Sequence, residues 1–166
     1  GATYFSILKE FLFGPKNNVE PQVMLPSQKT DLIHLERSVD VLVWFGHSSY
    51  FMQIDGKRIL VDPVLSGSAS PISFTTKSFH GTDIYTTEDI PEIDYLIITH
   101  DHWDHLDYET ITKLRPKIRK VITGLGTGAH LEHWGFTEDL ILEKNWNESL
   151  TLDEGYTLYT LPARHF

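Results

Sequence analysis

Residues 94–105 read Asp94-Tyr95-Leu96-Ile97-Ile98-Thr99-His100-Asp101-His102-Trp103-Asp104-His105. The first half is a short, nearly continuous apolar run, which predicts a buried β-strand. The second half contains three imidazoles and two carboxylates within six residues, at the point where the strand gives way to a loop. Proteins built from sheets and helices commonly place their sites at such strand ends. We therefore expect a functional site here, on an α/β fold.

The histidine-rich segment (residues 100–105) offers the nitrogen and oxygen donors that suit Zn²⁺, Fe or Mn. In an extended loop, side chains two residues apart share a side, so His100 and His102 can hold one ion. Asp104 and His105, past a bend, would then face a neighbouring ion. Two separate ligand pairs without thiolates favour a catalytic site over a structural zinc site closed by four ligands. The alternative is a solvated polar loop that binds metal opportunistically.

The composition is that of an ordinary globular chain. Its 166 residues suit one domain, and 40% of them are hydrophobic. The sequence contains no cysteine, which excludes disulfides, thiolate zinc sites and a cysteine nucleophile. A net charge of −9 argues against a nucleic-acid partner, because binding a phosphate backbone requires a cationic face. An anionic substrate remains open, since divalent cations can invert the local charge.

Residues 1–38 are predicted to form an N-terminal helix and a linker. Residues 4–13 have apolar side chains at helical spacing, and Gly14-Pro15 ends the pattern. We favour packing of this helix on its own domain, with membrane association or a partner contact as the alternative. Residues 16–29 hold two prolines and many polar side chains, typical of a linker. We favour a cytoplasmic location, with a periplasmic or membrane-associated one as alternatives, because no clear signal peptide is present.

Residues 39–166 are predicted to alternate between strands and helices. Two β-type runs, 50–54 and 57–61, flank Asp55-Gly56, which is a strong hairpin signal. The other predicted strands cover 39–45, 94–99, 120–123, 140–142, 149–152 and 156–161, and the predicted helices cover 108–114 and 130–134. Such a pattern indicates sheets covered by helices.

The histidine-rich segment resembles the HxHxDH motif of the metallo-β-lactamase superfamily. Its context is similar to the branch that includes N-acyl-phosphatidylethanolamine phospholipase D and ascorbate-6-phosphate lactonase. The matching stretches, in the order that the family has them, are residues 44–49, 59–64, 99–106 and 161–166. The resemblance implies the αββα sandwich of that superfamily, with this chain as its N-terminal half: one mixed sheet with flanking helices.

The resemblance also implies a binuclear metal site. His100 and His102, with His165, would bind the first ion. Asp104 and His105 would bind the second ion and serve as the catalytic residues. Asp62 matches the family's first aspartate, which supports a ligand from behind through its other ring nitrogen. Without the resemblance, Asp62 is equally well interpreted as a strand-end turn residue before proline.

One departure from the family pattern concerns the end of the chain. A bridging aspartate and a final histidine should follow Phe166. We therefore expect residues 39–166 to be the N-terminal half of a metallo-β-lactamase domain whose C-terminal half is absent. By count, the first ion keeps three protein ligands and the second keeps two, so we expect this chain alone to be inactive.

The function that the resemblance implies is hydrolysis by a hydroxide shared between two divalent ions, with zinc expected and Mn or Fe as alternatives. We favour a phosphodiesterase of the N-acyl-phosphatidylethanolamine phospholipase D type, acting on a small-molecule or lipid phosphodiester. A sugar-phosphate lactonase is the enzymatic alternative. A non-catalytic metal-binding module is the alternative from another class. The sequence indicates no oligomeric state.

Other polar features are interpreted more simply. Gly124-Leu125-Gly126-Thr127-Gly128 is predicted to be a strand-to-helix turn, because it lacks the spacing and lysine of a phosphate-binding loop. His47 is predicted to be a hydrogen-bonded structural histidine near the site. Ser48 and Ser49 lack the surroundings of a nucleophile elbow. Arg164 suits a substrate phosphate and a structural ion pair equally.

Overall fold

The computed structural model describes residues 3–14, 20–70, 76–152 and 155–164. Within these ranges, six strands form one mixed sheet in sequential order: β1 (Val41–Gly46), β2 (Ser49–Ile54), β3 (Lys57–Val61), β4 (Ile93–Ile98), β5 (Ile118–Gly124) and β6 (Ile141–Lys144). Two short strands pair separately, β7 (Ser149–Thr151) with β8 (Thr157–Tyr159). The described helices are α1 (Tyr4–Phe13), α2 (Tyr108–Leu114) and α3 (Gly128–His133), with 3-10 turns at Thr87–Asp89, Arg115–Lys117 and Glu138–Leu140. The predicted mixed sheet with flanking helices is confirmed.

The turn between β2 and β3 has the geometry that its sequence predicts. Asp55 and Gly56 both have left-handed backbones, with φ of 46° and 77°. Ile54 pairs with Lys57 across the turn. Two successive residues with positive φ match the right-handed twist of the strands, and aspartate and glycine tolerate that conformation best. The Asp-Gly hairpin is confirmed.

The sheet topology brings several strand ends to one edge. β1, β2 and β3 pair antiparallel, whereas β3, β4, β5 and β6 pair parallel. β1 therefore runs in the same direction as β3 and β4, and their carboxyl ends lie on the same side of the sheet. The ends of β3 and β4 are level, because Asp62 N donates to Ile97 O at 3.0 Å. We call this side the metal edge, defined by the residues that follow β1, β3 and β4.

The core lies between one face of the sheet and the helices that cover it. Side chains in register across β2, β3, β4 and β5 are fully buried, and these are Phe51, Leu60, Leu96 and Val121. They form one apolar cluster with Ile111 and Leu114 of α2 and Leu131 of α3. Burying each such side chain stabilises the fold by about 1.5–3 kcal/mol. The strand that carries the histidine-rich segment is therefore firmly anchored.

The end of the predicted linker packs as part of the domain. Leu32 is almost fully buried in the core. Gln53 Nε2 donates to the carbonyls of Glu36 and Val39, each at 2.7 Å, and Arg58 Nη2 donates to Leu35 O at 2.8 Å. This differs from the interpretation of residues up to 38 as helix and linker. This packing is hard to predict from the sequence, because backbone carbonyls hold the segment and they leave no periodic side-chain pattern.

The N-terminal helix forms where it is predicted, with Thr3 as its cap. Its apolar side chains that the structure describes are more than half exposed, and these are Tyr4, Phe5, Ile7 and Phe13. The expected packing of these side chains on their own domain is therefore wrong. Among the described residues, no helix combines the length and apolar character needed to cross a membrane.

Candidate metal centre

A tight turn reverses the histidine-rich segment directly after β4. The amides of His105 and Leu106 both donate to His102 O, at 2.9 and 2.8 Å. Leu106 is buried in the apolar cluster and fixes the end of the turn. Asp104 and His105 are therefore directed back towards the metal edge. This is the bend that the sequence analysis expects.

Three of the predicted imidazoles lie against one another at this edge. The ring centroids of His100 and His105 are 3.9 Å apart, and those of His100 and His102 are 4.8 Å apart. Asp101 and Trp103, which alternate with them, are exposed. Among the candidate ligands, His100, Asp104 and His105 are half-buried, whereas His102 is exposed like Asp101 and Trp103.

Asp62 orients His105 from behind. Its carboxylate accepts hydrogen bonds from Thr99 N at 2.8 Å and from Thr99 Oγ1 at 2.6 Å. It also contacts His105 Nδ1 at 2.8 Å. A carboxylate oxygen accepts from an N–H, so this contact favours the His105 tautomer with its proton on Nδ1, which leaves Nε2 as the ring nitrogen able to bind a metal. Histidines that bind metals are typically held in this manner.

A buried serine keeps the Asp62 turn in place. Ser49 Oγ donates to Asp62 O at 2.6 Å and accepts from Val64 N at 3.1 Å. The side chain of Ser49 is buried beneath the turn. Its hydroxyl is therefore engaged in structure, which agrees with the absence of a nucleophile elbow around it.

His47 joins the candidate ligands from the turn between β1 and β2. Its Nε2 lies 3.0 Å from Asp104 Oδ2, while His105 Nε2 lies 3.7 Å from the same oxygen. One donor atom from each of His47, Asp104 and His105 lies within 4.8 Å of the other two. The sequence analysis predicts a hydrogen-bonded histidine near the site, which the contact to Asp104 confirms, and it does not include His47 among the ligands. The position of His47 beside the other residues could have been inferred from the common direction of β1, β3 and β4.

The electrostatic surroundings of Asp104 favour its ionised form. Partial burial would raise the pKa of this carboxyl, but a hydrogen bond to its own backbone and the nearby imidazoles of His105 and His47 outweigh that effect. The net result is a pKa for Asp104 below its usual value. The carboxylate is therefore ionised at neutral pH, as a metal ligand must be.

The donor set suits a divalent metal ion. Donor atoms around a tetrahedral zinc lie about 3.4 Å apart, because Zn–N and Zn–O bonds are about 2.0–2.1 Å long. The two measured separations, 3.0 and 3.7 Å, bracket this value. Imidazole nitrogen and carboxylate oxygen are ligands of Zn, Fe and Mn alike, so the donors do not select among these metals. His165 lies outside the described residues, and its role as a ligand stays a prediction.

Comparison with known protein families identifies the family to which the chain belongs. The profile of the family described as "Beta-lactamase superfamily domain" matches residues 57–166. This range covers β3, β4 and the histidine-rich segment.

The chain belongs to the metallo-β-lactamase superfamily.

Relatives of this superfamily chain are longer proteins with different activities. It is 37% identical over 148 residues to an uncharacterized protein of Mycobacterium tuberculosis, covering 88% of this chain and 39% of that protein. It is 31% identical over 131 residues to N-acyl-phosphatidylethanolamine-hydrolyzing phospholipase D 1 of Caenorhabditis elegans, covering 74% and 36% respectively. The solved structure of CmlA, a diiron beta-hydroxylase from Streptomyces venezuelae, superimposes with a TM-score of 0.56 at 31% identity, covering 74% of this chain and 24% of that one. The chain therefore spans about two fifths or less of each protein.

An apolar cavity adjoins the metal edge of this metallo-β-lactamase chain. Its volume is about 810 Å³, and both His47 and Asp104 line one end of it. Trp44, Leu65 and Phe79 are among the apolar side chains of its wall. The cavity is within the usual size range of small-molecule sites, about 300–1,000 Å³. A ligand seated there would contact the candidate metal ligands directly.

The backbone amides of the glycine-rich turn donate hydrogen bonds to a carboxylate of the same chain. Glu143 Oε1 accepts from Gly126 N at 3.0 Å and from Gly128 N at 2.6 Å. These amides would be the donors of a phosphate cradle. Because Glu143 already occupies them, the interpretation as a strand-to-helix turn agrees with the structure. Arg164 is exposed, and no contact in the described residues assigns it a role.

Proposed function

We propose that this chain forms the metal-binding part of a metal-dependent hydrolase that uses two divalent ions, zinc by preference. The observation that carries the proposal is the convergence of His47, Asp104 and His105, with His105 oriented by Asp62. His100 and His102 lie against the same group and supply the ligands for a second ion. Membership of the metallo-β-lactamase superfamily supports this assignment.

The residues of the metal edge each have a distinct task in the proposed reaction. When bound, two divalent ions would lower the pKa of a bound water to about 7 and polarise the substrate oxygen. Asp62 holds the proton of His105 on Nδ1 and so keeps Nε2 available as a ligand. Asp104 contributes a permanent negative charge, because its pKa is lowered. The turn onto His102 O fixes the spacing between the two ligand pairs.

The substrate class that we propose is a phosphodiester bearing an apolar group. The cavity beside His47 and Asp104 has room for an alkyl or acyl chain, and Trp44, Leu65 and Phe79 provide an apolar wall. Lys77 also lines the cavity and offers a cation for an anionic group. The 31% identity to the phospholipase D of Caenorhabditis elegans supports a phosphodiester rather than a lactone.

Hydrolysis of bis-p-nitrophenyl phosphate by the complete protein loaded with Zn²⁺ or Mn²⁺ tests the reaction type, because this chain alone is expected to be inactive. We expect His102→Ala and Asp104→Ala to lower kcat/KM by about 100-fold or more, because loss of a ligand costs at least as much as the 10–100-fold loss from supporting groups. His130→Ala is the matched control, since His130 is exposed on α3. Equal activity in the wild type and both ligand variants would refute the proposal.

A series of p-nitrophenyl phosphodiesters with lengthening alkyl groups tests the substrate class. Each methylene that enters the cavity is expected to raise kcat/KM about fourfold, corresponding to about 0.8 kcal/mol per buried CH₂. The same series with Leu65→Asn should show a weaker dependence on chain length. A flat response in the wild-type protein would exclude the cavity as the site of the apolar group.

A second candidate function is an iron-dependent oxidation. The observation that favours it is the similarity to the diiron beta-hydroxylase CmlA, with 31% identity and a TM-score of 0.56. Imidazole and carboxylate donors such as those of the metal edge are also ligands of iron. Hydroxylation requires O₂, two electrons from an added reductant and an oxidisable substrate, so substrate-dependent O₂ consumption by the iron-loaded protein under these conditions separates the two candidates, because hydrolysis consumes no oxygen.

A further inference from the structure

His47 reaches the metal edge independently of the histidine-rich segment. It lies in the turn between β1 and β2, 57 residues before Asp104 in the sequence. His47 precedes the range of the family profile, residues 57–166, but lies in the stretch 44–49 that resembles the family. In the sequence analysis, the family resemblance gives His47 no metal-binding role. The role of His47 has to be argued from its contacts.

His47 lies where a third ligand would be placed around an ion that Asp104 and His105 bind. Its Nε2 is 3.0 Å from Asp104 Oδ2, and its ring centroid is 5.1 Å from that of His105. An ion bonded to all three groups would require donor atoms about 3.4 Å apart for tetrahedral geometry. The separations of 3.0 and 3.7 Å at Asp104 Oδ2 lie within a few tenths of an ångström of that value, and the donor atoms of His47 and His105 lie within 4.8 Å of each other.

The surrounding turn holds His47 in this position. The indole Nε1 of Trp44 donates to His47 O at 2.9 Å. His47 itself has a left-handed backbone, with φ of 45°, which a histidine rarely adopts. The contact from Trp44 fixes the backbone that aims the ring at Asp104. His47 is also exposed, so an ion and a substrate can reach it.

We propose that His47 is the third protein ligand of the ion bound by Asp104 and His105. The proposal rests on the metal-binding part of the proposed function. It also raises the number of protein ligands for this ion from the two that the sequence analysis predicts to three. With three nitrogen and oxygen donors, the ion keeps an open position for water or substrate, as catalytic zinc sites do. An ion held by these residues would lie beside the apolar cavity that His47 and Asp104 line, within reach of a substrate bound there.

The competing role for His47 is a hydrogen bond to Asp104 without contact to the ion. The two roles differ in the position of one proton on the imidazole. As a hydrogen-bond donor to the carboxylate, His47 keeps its proton on Nε2. As a ligand through Nε2, it carries the proton on Nδ1. The tautomer of the His47 ring in the zinc-loaded protein therefore decides between them.

Long-range ¹H–¹⁵N spectra of the histidine-labelled protein during titration with ZnSO₄ measure this tautomer directly. We expect the His47 ring to change to the Nδ1–H form in step with the shift of His105, with His47→Gln identifying its signals. The exposed His34, which pairs with Asp31 away from the metal edge, is the internal control and should not respond in step. A His47 ring that keeps its proton on Nε2 at saturating zinc would overturn the proposal.

Zinc affinity gives a second measurement that does not depend on activity. In competition with a chromophoric chelator, His47→Gln should weaken the binding of one ion by about 10–100-fold or more, whereas His34→Gln should leave it unchanged. Unchanged affinity in His47→Gln would contradict ligation by His47. If zinc binds through His47 but no phosphodiester is hydrolysed, the proposed function fails and this inference stands. If hydrolysis occurs while His47 stays unligated, only this inference fails.

Discussion

At the scale of single residues, Asp62 has the largest influence on the metal edge. Its carboxylate is 1% exposed and is engaged by Thr99 N, Thr99 Oγ1 and His105 Nδ1. A buried carboxylate without such partners would be strongly destabilising. Asp62 also has a left-handed backbone, with φ of 40°. Asparagine tolerates that backbone, so Asp62→Asn tests the charge while it keeps the turn.

We predict that Asp62→Asn lowers the affinity for Zn²⁺ by about 10–100-fold, because the amide no longer fixes the tautomer of His105. Competition with a chromophoric chelator measures the effect. Asp55→Asn is a matched control, since Asp55 also has a left-handed backbone, with φ of 46°, but lies at the opposite edge of the sheet. An affinity of Asp62→Asn within twofold of the control would show that Asp62 does not orient a ligand.

At the scale of elements, the junction of β5, α3 and β6 depends on one close approach. A Cβ atom on Gly128 would lie 2.6 Å from Glu143 Oε1 and 3.1 Å from Ile141 Cγ2. Glu143 cannot move away without losing its hydrogen bonds to Gly126 N and Gly128 N. Glycine at position 128 is therefore required by packing between the turn and β6.

Gly128→Ala is expected to lower the free energy of unfolding by about 1–3 kcal/mol, the usual cost of overpacking. Urea denaturation measures this change in the free energy of unfolding. Gly124→Ala is the control, because a Cβ atom there would have no neighbour within 4 Å. Equal free energies of unfolding for the two variants would show that Glu143 can move aside without loss of stability. The packing requirement for glycine at position 128 would then be wrong.

At the scale of the whole molecule, Asp94 joins four segments at the edge opposite the metal centre. It accepts from Arg58 N of β3 at 2.9 Å, from Arg37 Nη1 at 2.5 Å and from Arg119 Nη1 of β5 at 3.1 Å. Burial would raise the pKa of this carboxyl, but the hydrogen bonds from Arg58, Arg37 and Arg119 outweigh it and lower the pKa. Asp94 therefore stabilises the fold in its ionised form.

The lowered pKa of Asp94 predicts the direction of a pH effect. The stabilisation is complete above the unfolded-state pKa of about 3.9 and is lost as the pH falls through the lower folded-state pKa. Asp94→Asn should therefore reduce the free energy of unfolding by about 1–3 kcal/mol at pH 7, with a smaller difference at pH 3.5. Urea denaturation across this range checks it, with exposed Asp139→Asn as the control. A difference that does not change with pH would exclude this role for the charge of Asp94.

The sequence by itself determined the features that depend on neighbours along the chain. The apolar run before Thr99 is a buried strand, and Asp55-Gly56 forms the hairpin. Proximity of His100, His102 and His105 follows from their spacing and one turn, so it could also be predicted. Local spacing and backbone preference suffice for such features, because few alternative conformations compete with them.

The family resemblance predicted Asp62 behind a ligand and His47 near the site, but only the tertiary structure decided which residues of the histidine-rich segment they contact. His47 contacts Asp104 across 57 positions of sequence, and Asp62 contacts His105 across 43. These contacts exist because β1, β3 and β4 run in the same direction and end at one edge. Strand order is set by the packing of the whole core, where Phe51, Leu60 and Leu96 lie side by side. No local pattern encodes that order, because it is a property of the folded sheet as a whole.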